Sequence, residues 1–137
     1  MTKLSILAVI SAVALSGPTL AGDHAAGEAT FKKCKACHSV IAPDGTEIQK
    51  GGRTGPNLYG VIGRGVASDP DFSYSESLAA LGATGAVWDE ASLATYVANP
   101  TDYLKSALGD DAAKSKMSFK LAEGGEDVAA YLASVAQ

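Results

Sequence analysis

Residues 34–38 of the 137-residue chain read CKACH, with two cysteines three positions apart and a histidine immediately after them. Cys34 and Cys37 are the only cysteines in the sequence. The pattern C-x-x-C-H is the attachment signature of c-type haem, in which both thiols form thioether bonds and the histidine becomes an axial iron ligand. The stretch therefore predicts covalent haem attachment through Cys34 and Cys37, with iron coordination by His38.

Three other uses of two cysteines fit the sequence less well. A structural zinc site needs four nitrogen or sulfur ligands, but the motif supplies three, and the remaining histidine, His24, lies well before it. A thioredoxin-like dithiol is expected in a βαβ context, and no strand pattern precedes Cys34. A disulfide across such a short loop would add little stability. A haem-free redox or metal-binding module therefore remains only as an alternative to haem attachment.

The N-terminus has the order of residues found in a secretory signal peptide. Lys3 precedes an apolar run that begins at Leu4, and small residues follow around Ala21. The run is shorter than the roughly 20 apolar residues of a membrane-spanning helix, so cleavage is favoured over an uncleaved anchor or a buried N-terminal helix. We expect a signal peptide at 1–21, cleavage after Ala21, a single mature domain at 22–137 and a location in the periplasm.

The composition indicates one ordinary globular domain. The chain is 47% hydrophobic and 19% charged, and its formal net charge is −4, which becomes −5 when Lys3 leaves with the signal peptide. An acidic, exported protein is unsuited to the polyanionic backbone of nucleic acids. We therefore expect no nucleic-acid binding and no stable membrane insertion.

The mature sequence predicts an all-α protein with long loops. Capping residues and apolar spacing place the expected helices at about 23–35, 77–81, 89–99, 103–108 and 125–136. Residues 39–75 are dense in turn signals such as PDG, TGPN and GRG, and no strand is predicted there. So long an irregular stretch in a compact domain is explained if its loops wrap around a large prosthetic group.

Met117 is the only methionine after residue 1 and is the candidate for the second axial ligand. A Met/His pair holds the iron of high-potential, electron-transferring haems. Met117 lies in the polar stretch KSKMSFK, whereas a methionine that only fills a core gap is expected among apolar residues. Without this ligand, an open sixth position would suit a haem enzyme or a gas sensor instead.

The order of motifs resembles that of the class I c-type cytochromes, especially the bacterial cytochrome c2 subgroup. CKACH is followed by TGPNLYGVIGR, a helix introduced by Trp88 and ending in Asn-Pro, the sequence KMSF and a final amphipathic helix. The resemblance covers residues 22–137. It implies a cytochrome c fold with three to five helices around one haem c. It also implies one-electron transport in respiration or photosynthesis rather than catalysis.

The resemblance assigns further residues to the two sides of the iron. The carbonyl of Pro56 would accept the proton of the non-ligating nitrogen of His38, which fixes the imidazole tautomer and raises its basicity as a ligand. On the other side, Tyr96 would pack beside Met117. These positions are implied by the family pattern and remain expectations at this point.

Other residues are assigned by the same resemblance to the rim of the haem. Arg64, Tyr74 and Trp88 match positions that bond the haem propionates in the family, and the Trp88 indole can act there only as a donor. Phe119 matches an aromatic residue at the exposed haem edge. Each of these side chains could also be an ordinary core or surface residue.

The resemblance also explains one glycine and points to two insertions. Gly27, inside the first predicted helix, would be the place where the last helix crosses closely and Tyr131 packs. Relative to the short mitochondrial form, the chain has insertions in IAPDGTEIQKGG (41–52) and in YLKSALGDDAAKSK (103–116). The second insertion lengthens the loop that precedes Met117.

Lysines flank both predicted iron ligands, and the acidic residues lie mostly elsewhere. The flanking lysines are Lys32, Lys33 and Lys35 beside the haem motif and Lys114, Lys116 and Lys120 beside Met117. If both ligands meet at one iron, these charges would surround one haem edge and steer docking on the acidic surfaces of redox partners. The resemblance implies a quinol–cytochrome c reductase and a terminal oxidase, reaction centre or periplasmic reductase as partners. We expect a monomer.

Overall fold

The computed structural model describes residues 22–137, so the predicted signal peptide lies outside the described residues. Residues 22–137 contain five helices: α1 His24–Phe31, α2 Glu76–Ala83, α3 Glu90–Ala98, α4 Pro100–Leu108 and α5 Gly125–Ser134. Two short strands, β1 Val40–Ile41 and β2 Glu47–Gln49, pair as an antiparallel hairpin. Within 22–137, no helix is long and apolar enough to cross a membrane. The mainly helical class and the number of helices agree with the prediction.

Helices α1 and α5 cross closely at Gly27. A Cβ atom at Gly27 would overlap the carbonyl oxygen of Asp127 and lie 2.8 Å from the Cβ of Tyr131, so only glycine allows this approach. Beside the crossing, the rings of Phe31 and Tyr131 pack with their centroids 5.6 Å apart. The structure thus contains the crossing that the sequence resemblance implied.

Each helix contributes apolar side chains to one core. Its large buried members include Phe31, Leu81, Leu93, Tyr96, Leu104, Val128 and Leu132. Burial of each such side chain favours folding by about 1.5–3 kcal/mol relative to exposure. The core therefore joins helices that are far apart in sequence, and the long loop between β2 and α2 adds Val61 and Val66 to it.

The β-hairpin contradicts the prediction that the chain has no strands. It occupies most of the first insertion, and its strands contain only two and three residues. The Ala42 N–H donates to the Thr46 carbonyl at 2.9 Å, and Gly45 adopts a φ of 87° that closes the turn. Strands this short do not produce a recognisable alternation of apolar and polar residues, so the sequence pattern could not reveal them.

Helix α1 is shorter than predicted, because it ends at Phe31 rather than near Lys35. From there the chain forms tight turns in which the Lys33 N–H donates to the Thr30 carbonyl at 3.0 Å and the Cys34 N–H to the Phe31 carbonyl at 2.8 Å. These i to i+3 bonds wind the chain more tightly than an α-helix. The haem motif therefore lies in a turn that follows the helix rather than in its last turns.

Helix α4 begins earlier than predicted, at Pro100 rather than Tyr103. The prediction treated Pro100 as the end of the preceding helix, and α3 does end at Ala98. Proline is also favoured at the first position of a helix, where no N–H donor is needed. The Asn99 side chain caps the new helix, so α3 and α4 follow each other almost without a loop.

Tyr131→Phe is expected to leave stability unchanged or to raise it by up to about 1 kcal/mol. The Tyr131 hydroxyl is buried and, although the Gln49 side chain lies near it, makes no hydrogen bond of normal geometry among the described residues, so its removal relieves a desolvation cost while the ring stays against Phe31. Chemical denaturation of the two proteins measures the difference. A loss of more than 1 kcal/mol would show that the hydroxyl has a stabilising partner.

Candidate functional site

One cavity of about 500 Å³ brings together every site residue predicted from the sequence. The predicted residues that line it are Cys34, Cys37, His38, Pro56, Arg64, Tyr74, Trp88, Tyr96, Met117 and Phe119. Much of the remaining wall is apolar and includes Leu58, Val61, Leu78, Leu93, Val97, Val128 and Leu132. A volume of this size is typical of sites for small molecules and cofactors.

Two alternatives to haem attachment have little support in the structure. Burial, and to a smaller extent the neighbouring Cys37, raises the pKa of the Cys34 thiol. A redox-active dithiol instead needs a thiol with a lowered pKa. For zinc, no group of three or more His, Cys, Asp or Glu side chains in residues 22–137 is placed to hold a metal ion. The two thiols are therefore better suited to covalent tethering than to either use.

The His38 imidazole is held in one orientation by its neighbours. His38 is 9% exposed, and its Nδ1–H donates to the carbonyl oxygen of Pro56 at 2.8 Å. Burial lowers the pKa of His38, while the bond to Pro56 raises it by less. The ring is thus a neutral imidazole whose Nε2 is left free for a ligand bond, which is the arrangement expected of an axial histidine.

Gly55 lies directly against the His38 ring. A Cβ atom at this position would lie 2.6 Å from His38 Nδ1 and 2.7 Å from Nε2, inside the ring's contact distance. The Gly55 N–H also donates to the Cys37 carbonyl at 2.8 Å, which ties the TGPN segment to the haem motif. The sequence TGPN therefore supplies both the space for the ring and, through Pro56, its hydrogen-bond acceptor.

Gly55→Ala is expected to displace the His38 ring and to destabilise the protein by about 1–3 kcal/mol, the usual cost of overpacking. Absorption spectra that report the axial ligands and denaturant unfolding measure the two effects. Gly65→Ala is the matched control, because Gly65 lines the same cavity but its added Cβ would meet only Ser68 at 3.5 Å. Equal effects of the two substitutions would contradict the assigned role of Gly55.

The segment that carries Met117 is anchored on both sides of the cavity. The Met117 N–H donates to Ser115 Oγ at 3.1 Å, and that oxygen is 3.2 Å from the hydroxyl of Tyr96 in α3. Burial raises the pKa of Tyr96, and the bond to Ser115 opposes this change. Lys116 Nζ donates to the Ser73 carbonyl at 3.0 Å. The lengthened loop is therefore fixed to α3 and to the segment before α2, with its thioether at the cavity.

The three residues expected to bond haem propionates lie in one part of the structure. The Arg64 guanidinium donates to the carbonyls of Asn57 at 3.0 Å and Tyr59 at 3.3 Å, which holds its charge in place. The backbone N–H of Trp88 donates to the backbone carbonyl of Arg64 at 3.0 Å. Burial raises the pKa of Tyr74, while the Arg64 charge lowers it by a smaller amount. Arg64, Tyr74 and Trp88 thus line the same cavity, and the Arg64 charge acts on Tyr74.

The opening of the cavity combines apolar and basic groups. Phe119 lines it and is 42% exposed, as expected for an aromatic residue at a solvent-facing edge. Lys33 and Lys116, one from each predicted lysine group, line it as well. The other four lysines named from the sequence are not among the lining residues.

Three residues of the site were not identified from the sequence. Gly55 could have been recognised from its place beside Pro56 in TGPN. Phe72 lines the cavity, and its ring packs on that of Tyr74 with 4.9 Å between the ring centroids. The sequence feature that could have identified it is the spacing F-x-Y. No sequence feature identified Ser115, because its role depends on a contact with Tyr96, which lies in a helix distant in sequence.

The residues present fit a covalently attached haem. Two thiols, one oriented neutral imidazole and one thioether line the same apolar cavity, and this is the donor set of a His/Met-ligated c-type haem. The space beside Gly55 is shaped for the ring of the ligating histidine. Polar groups from Arg64, Tyr74 and Trp88 are available for the acidic substituents of the haem.

Close relatives and solved structures identify the family. The chain is 58% identical to cytochrome c2 of Rhodobacter capsulatus over 134 residues, which cover 97% of this chain and 98% of that protein. It is 50% identical to cytochrome c-550 of Paracoccus versutus, with coverage of 96% and 88%. The structure of R. capsulatus cytochrome c2 matches with a TM-score of 0.84 at 61% identity, covering 85% of this chain and all of that chain. No protein-family model matches the sequence.

These similarities extend over almost the whole length of both proteins and agree with the fold and the cavity. The cofactor is one haem c, for which CKACH supplies the two attachment thiols. The protein carries electrons and is not an enzyme. The chain belongs to the class I c-type cytochromes, within the cytochrome c2 group.

Proposed function

We propose that the protein is a periplasmic carrier of single electrons whose haem iron is held by His38 and Met117. The observation that carries this proposal is that both side chains line one cavity with Cys34 and Cys37, although Met117 lies in a distant part of the sequence. When bound, haem c supplies an iron that changes between Fe(III) and Fe(II) by one electron.

The chain's own residues give this site its properties. The Cys34 and Cys37 thiols act as covalent tethers, and the bond from His38 to Pro56 keeps the imidazole in the tautomer that can ligate iron. The neutral thioether of Met117 favours the ferrous state and therefore a positive potential. The apolar walls exclude water, so little rearrangement of the surroundings accompanies a change of charge.

The periphery of the site has two proposed tasks. Arg64, Tyr74 and Trp88 would bond the haem propionates, which is consistent with their positions in the lining of the cavity. Phe119 would border the edge through which electrons enter and leave. Its partial exposure in a cavity that Lys33 and Lys116 also line supports this assignment.

Export to the periplasm is supported by the length of a solved relative. The R. capsulatus chain of known structure is matched over its whole length by 85% of this chain, which is the share that residues 22–137 represent. The corresponding full-length relative matches 97% of the chain. These lengths support our proposal that residues 1–21 are a signal peptide removed after Ala21, with a single cytochrome c domain at 22–137.

Covalent haem attachment can be tested on protein purified from the periplasm. Extraction with acidified organic solvent should leave the colour with the polypeptide, and a haemochrome assay should find one haem per chain. Mass spectrometry should show a mature chain that starts at Gly22 and carries one haem. Colour that passes into the organic phase, or a colourless protein with two free thiols, would contradict the proposal.

Partner docking is proposed to use the lysines at the cavity opening. Acidic surfaces of redox proteins are the complementary partners, such as those of a quinol–cytochrome c reductase and of a terminal oxidase, a reaction centre or a periplasmic reductase. A monomer suffices for such transient contacts. The support is that Lys33 and Lys116 are exposed and line the same cavity as the exposed Phe119.

Lys33→Glu is expected to slow electron exchange with an acidic redox partner by about two- to tenfold at low salt, because a charge at the rim acts mainly on the association rate. The difference should shrink above about 0.15 M salt, where charges at the surface are screened. Stopped-flow kinetics measures both effects. Lys50→Glu is the control, since Lys50 is exposed and does not line the cavity. Equal slowing by both substitutions would indicate a net-charge effect instead of a docking site.

A further inference from the structure

The residue that becomes the N-terminus after processing is seated in the junction between α1 and α5. A Cβ atom at Gly22 would overlap the carbonyl oxygen of Glu126 and lie 2.8 Å from the backbone nitrogen of Asp127. The N–H of the next residue, Asp23, donates to Oδ1 of Asp127 at 2.8 Å. Position 22 is therefore part of the folded structure and lies directly on the first turn of α5.

The junction contains carboxylates without a lysine or arginine on either helix. Asp23 caps α1 by accepting from the N–H groups of Ala25 and Ala26, and Glu126 and Asp127 occupy the first turn of α5. Neither helix contains Lys or Arg. The titratable side chains of α1, its N-cap and α5 are Asp23, His24, Glu28, Glu126, Asp127 and Tyr131, and those of the adjacent α3 and its N-cap are Asp89, Glu90 and Tyr96. Lys32 caps α1 at its other end.

We infer that removal of the signal peptide supplies the missing cation, and that the new α-ammonium of Gly22 pairs with the Asp127 carboxylate to fasten α1 to α5. The inference rests on the proposed processing after Ala21. Hydrolysis of the Ala21–Gly22 bond adds water and leaves a carboxylate on Ala21 and an ammonium group on Gly22. An unprocessed chain has an uncharged amide at the same place, so it cannot form this pair.

The geometry places the ammonium group within reach of the carboxylate. Backbone nitrogens of consecutive residues are about 3–4 Å apart, as bond lengths and angles dictate. Since the Asp23 nitrogen is 2.8 Å from Asp127 Oδ1, the Gly22 nitrogen lies no more than about 7 Å from that oxygen. Rotation of the terminal residue can shorten this distance, because glycine tolerates a wide range of backbone angles.

The pair has a defined pH dependence. An α-amino group has an ordinary pKa of about 7.7–8.0, and a carboxylate partner in the folded protein raises that pKa. Its contribution to stability is therefore present in full below about pH 7.7 and is lost as the pH rises through the folded-state pKa. In a chain without the pair, titration of the Gly22 amino group would cause no loss of stability over this pH range.

The direct test is an NMR titration of the Gly22 amino group in the mature holoprotein. Asp127→Asn is the informative variant, because the amide oxygen can still accept the Asp23 N–H while the charge is removed. Asp111→Asn is the control, since Asp111 is an exposed carboxylate in the loop after α4. We expect the Gly22 pKa to fall in Asp127→Asn and to stay unchanged in Asp111→Asn. The same pKa in the wild type and Asp127→Asn would overturn the inference.

A stability measurement provides the second test. Adding one alanine before Gly22 in the holoprotein moves the ammonium group away from Asp127. The unfolding equilibrium constant at pH 7 should then rise about two- to fivefold, as expected for the loss of a partly exposed ion pair. Combined with Asp127→Asn, the extension should have no further effect. Full additivity of the two changes would contradict the pairing.

A normal haem spectrum in all variants separates this result from the proposed electron-carrier function. A mature chain that starts at another residue would refute the processing and the pair together.

Discussion

Gly27→Ala is expected to destabilise the protein by at least about 3 kcal/mol, at or above the upper end of ordinary overpacking costs. The added Cβ would overlap the Asp127 carbonyl oxygen, which belongs to the backbone of α5 and cannot rotate away as a side chain could. The two helices would have to separate at the place where Phe31 packs on Tyr131. Since domains of this size are stable by only about 5–15 kcal/mol, the loss should be visible as a large decrease in the denaturant midpoint.

The matched comparison for this substitution is Ala29→Gly in the same helix. Ala29 is exposed, so its replacement should cost only the helix propensity of glycine, about 1 kcal/mol. Guanidinium unfolding of both holoproteins, followed by far-UV circular dichroism, gives the two values. If Gly27→Ala were the milder change, the close helix crossing would not be a determinant of this fold.

Met117→Ala is expected to have the largest effect on function. Loss of the thioether should abolish the sulfur–ferric charge-transfer band and open the sixth iron position to small external ligands. The midpoint potential should fall by on the order of 100 mV, a modest part of the roughly 0.8 V range that axial ligands set. Optical spectra of the oxidised protein, ligand titration and redox titration measure the three effects.

Ser118→Ala is a suitable control for the loss of Met117. Ser118 is the next residue, lines the same cavity and is exposed, so its replacement tests whether the loop tolerates a change without loss of the ligand. The control should keep the charge-transfer band and exclude external ligands. A band that persists in Met117→Ala would mean that another side chain is the sixth ligand.

The site was more predictable from the sequence than the details of the fold. The chemistry of covalent haem attachment dictates the spacing of Cys34, Cys37 and His38. This spacing can therefore be recognised as a motif in any sequence that binds haem in this way. Met117 was the only candidate thioether in the mature chain. The order of the remaining motifs then assigned residues such as Pro56, whose carbonyl accepts the His38 proton at 2.8 Å in the structure.

The missed features depend on contacts that the local sequence does not record. The hairpin strands are too short to show alternation, and Pro100 is compatible with both the end of one helix and the start of another. Helix α1 stops at Phe31 because the chain turns to present the haem motif. Ser115 matters through its hydrogen bond to Tyr96, which only the folded chain brings near.

The first part of the second insertion is helical, as predicted, and the rest is held by contacts with residues in and just before α2. Its first six residues, 103–108, belong to α4, which Gly109 caps with a left-handed φ of 63°. After that turn, the Lys114 N–H donates to Ser77 Oγ at 3.0 Å, and Lys116 bonds the Ser73 carbonyl. These contacts explain how a longer loop can still hold Met117 at the cavity.

A potentiometric titration of the purified periplasmic protein, followed by absorption spectroscopy, tests the central claim most directly. One-electron exchange at a haem held by His38 and Met117 predicts a single n = 1 transition at a positive midpoint potential. The sulfur–ferric band should be present in the oxidised protein and vanish on reduction. A strongly negative midpoint, or an oxidised spectrum without that band, would contradict the assignment of Met117 and the proposed role as a high-potential electron carrier.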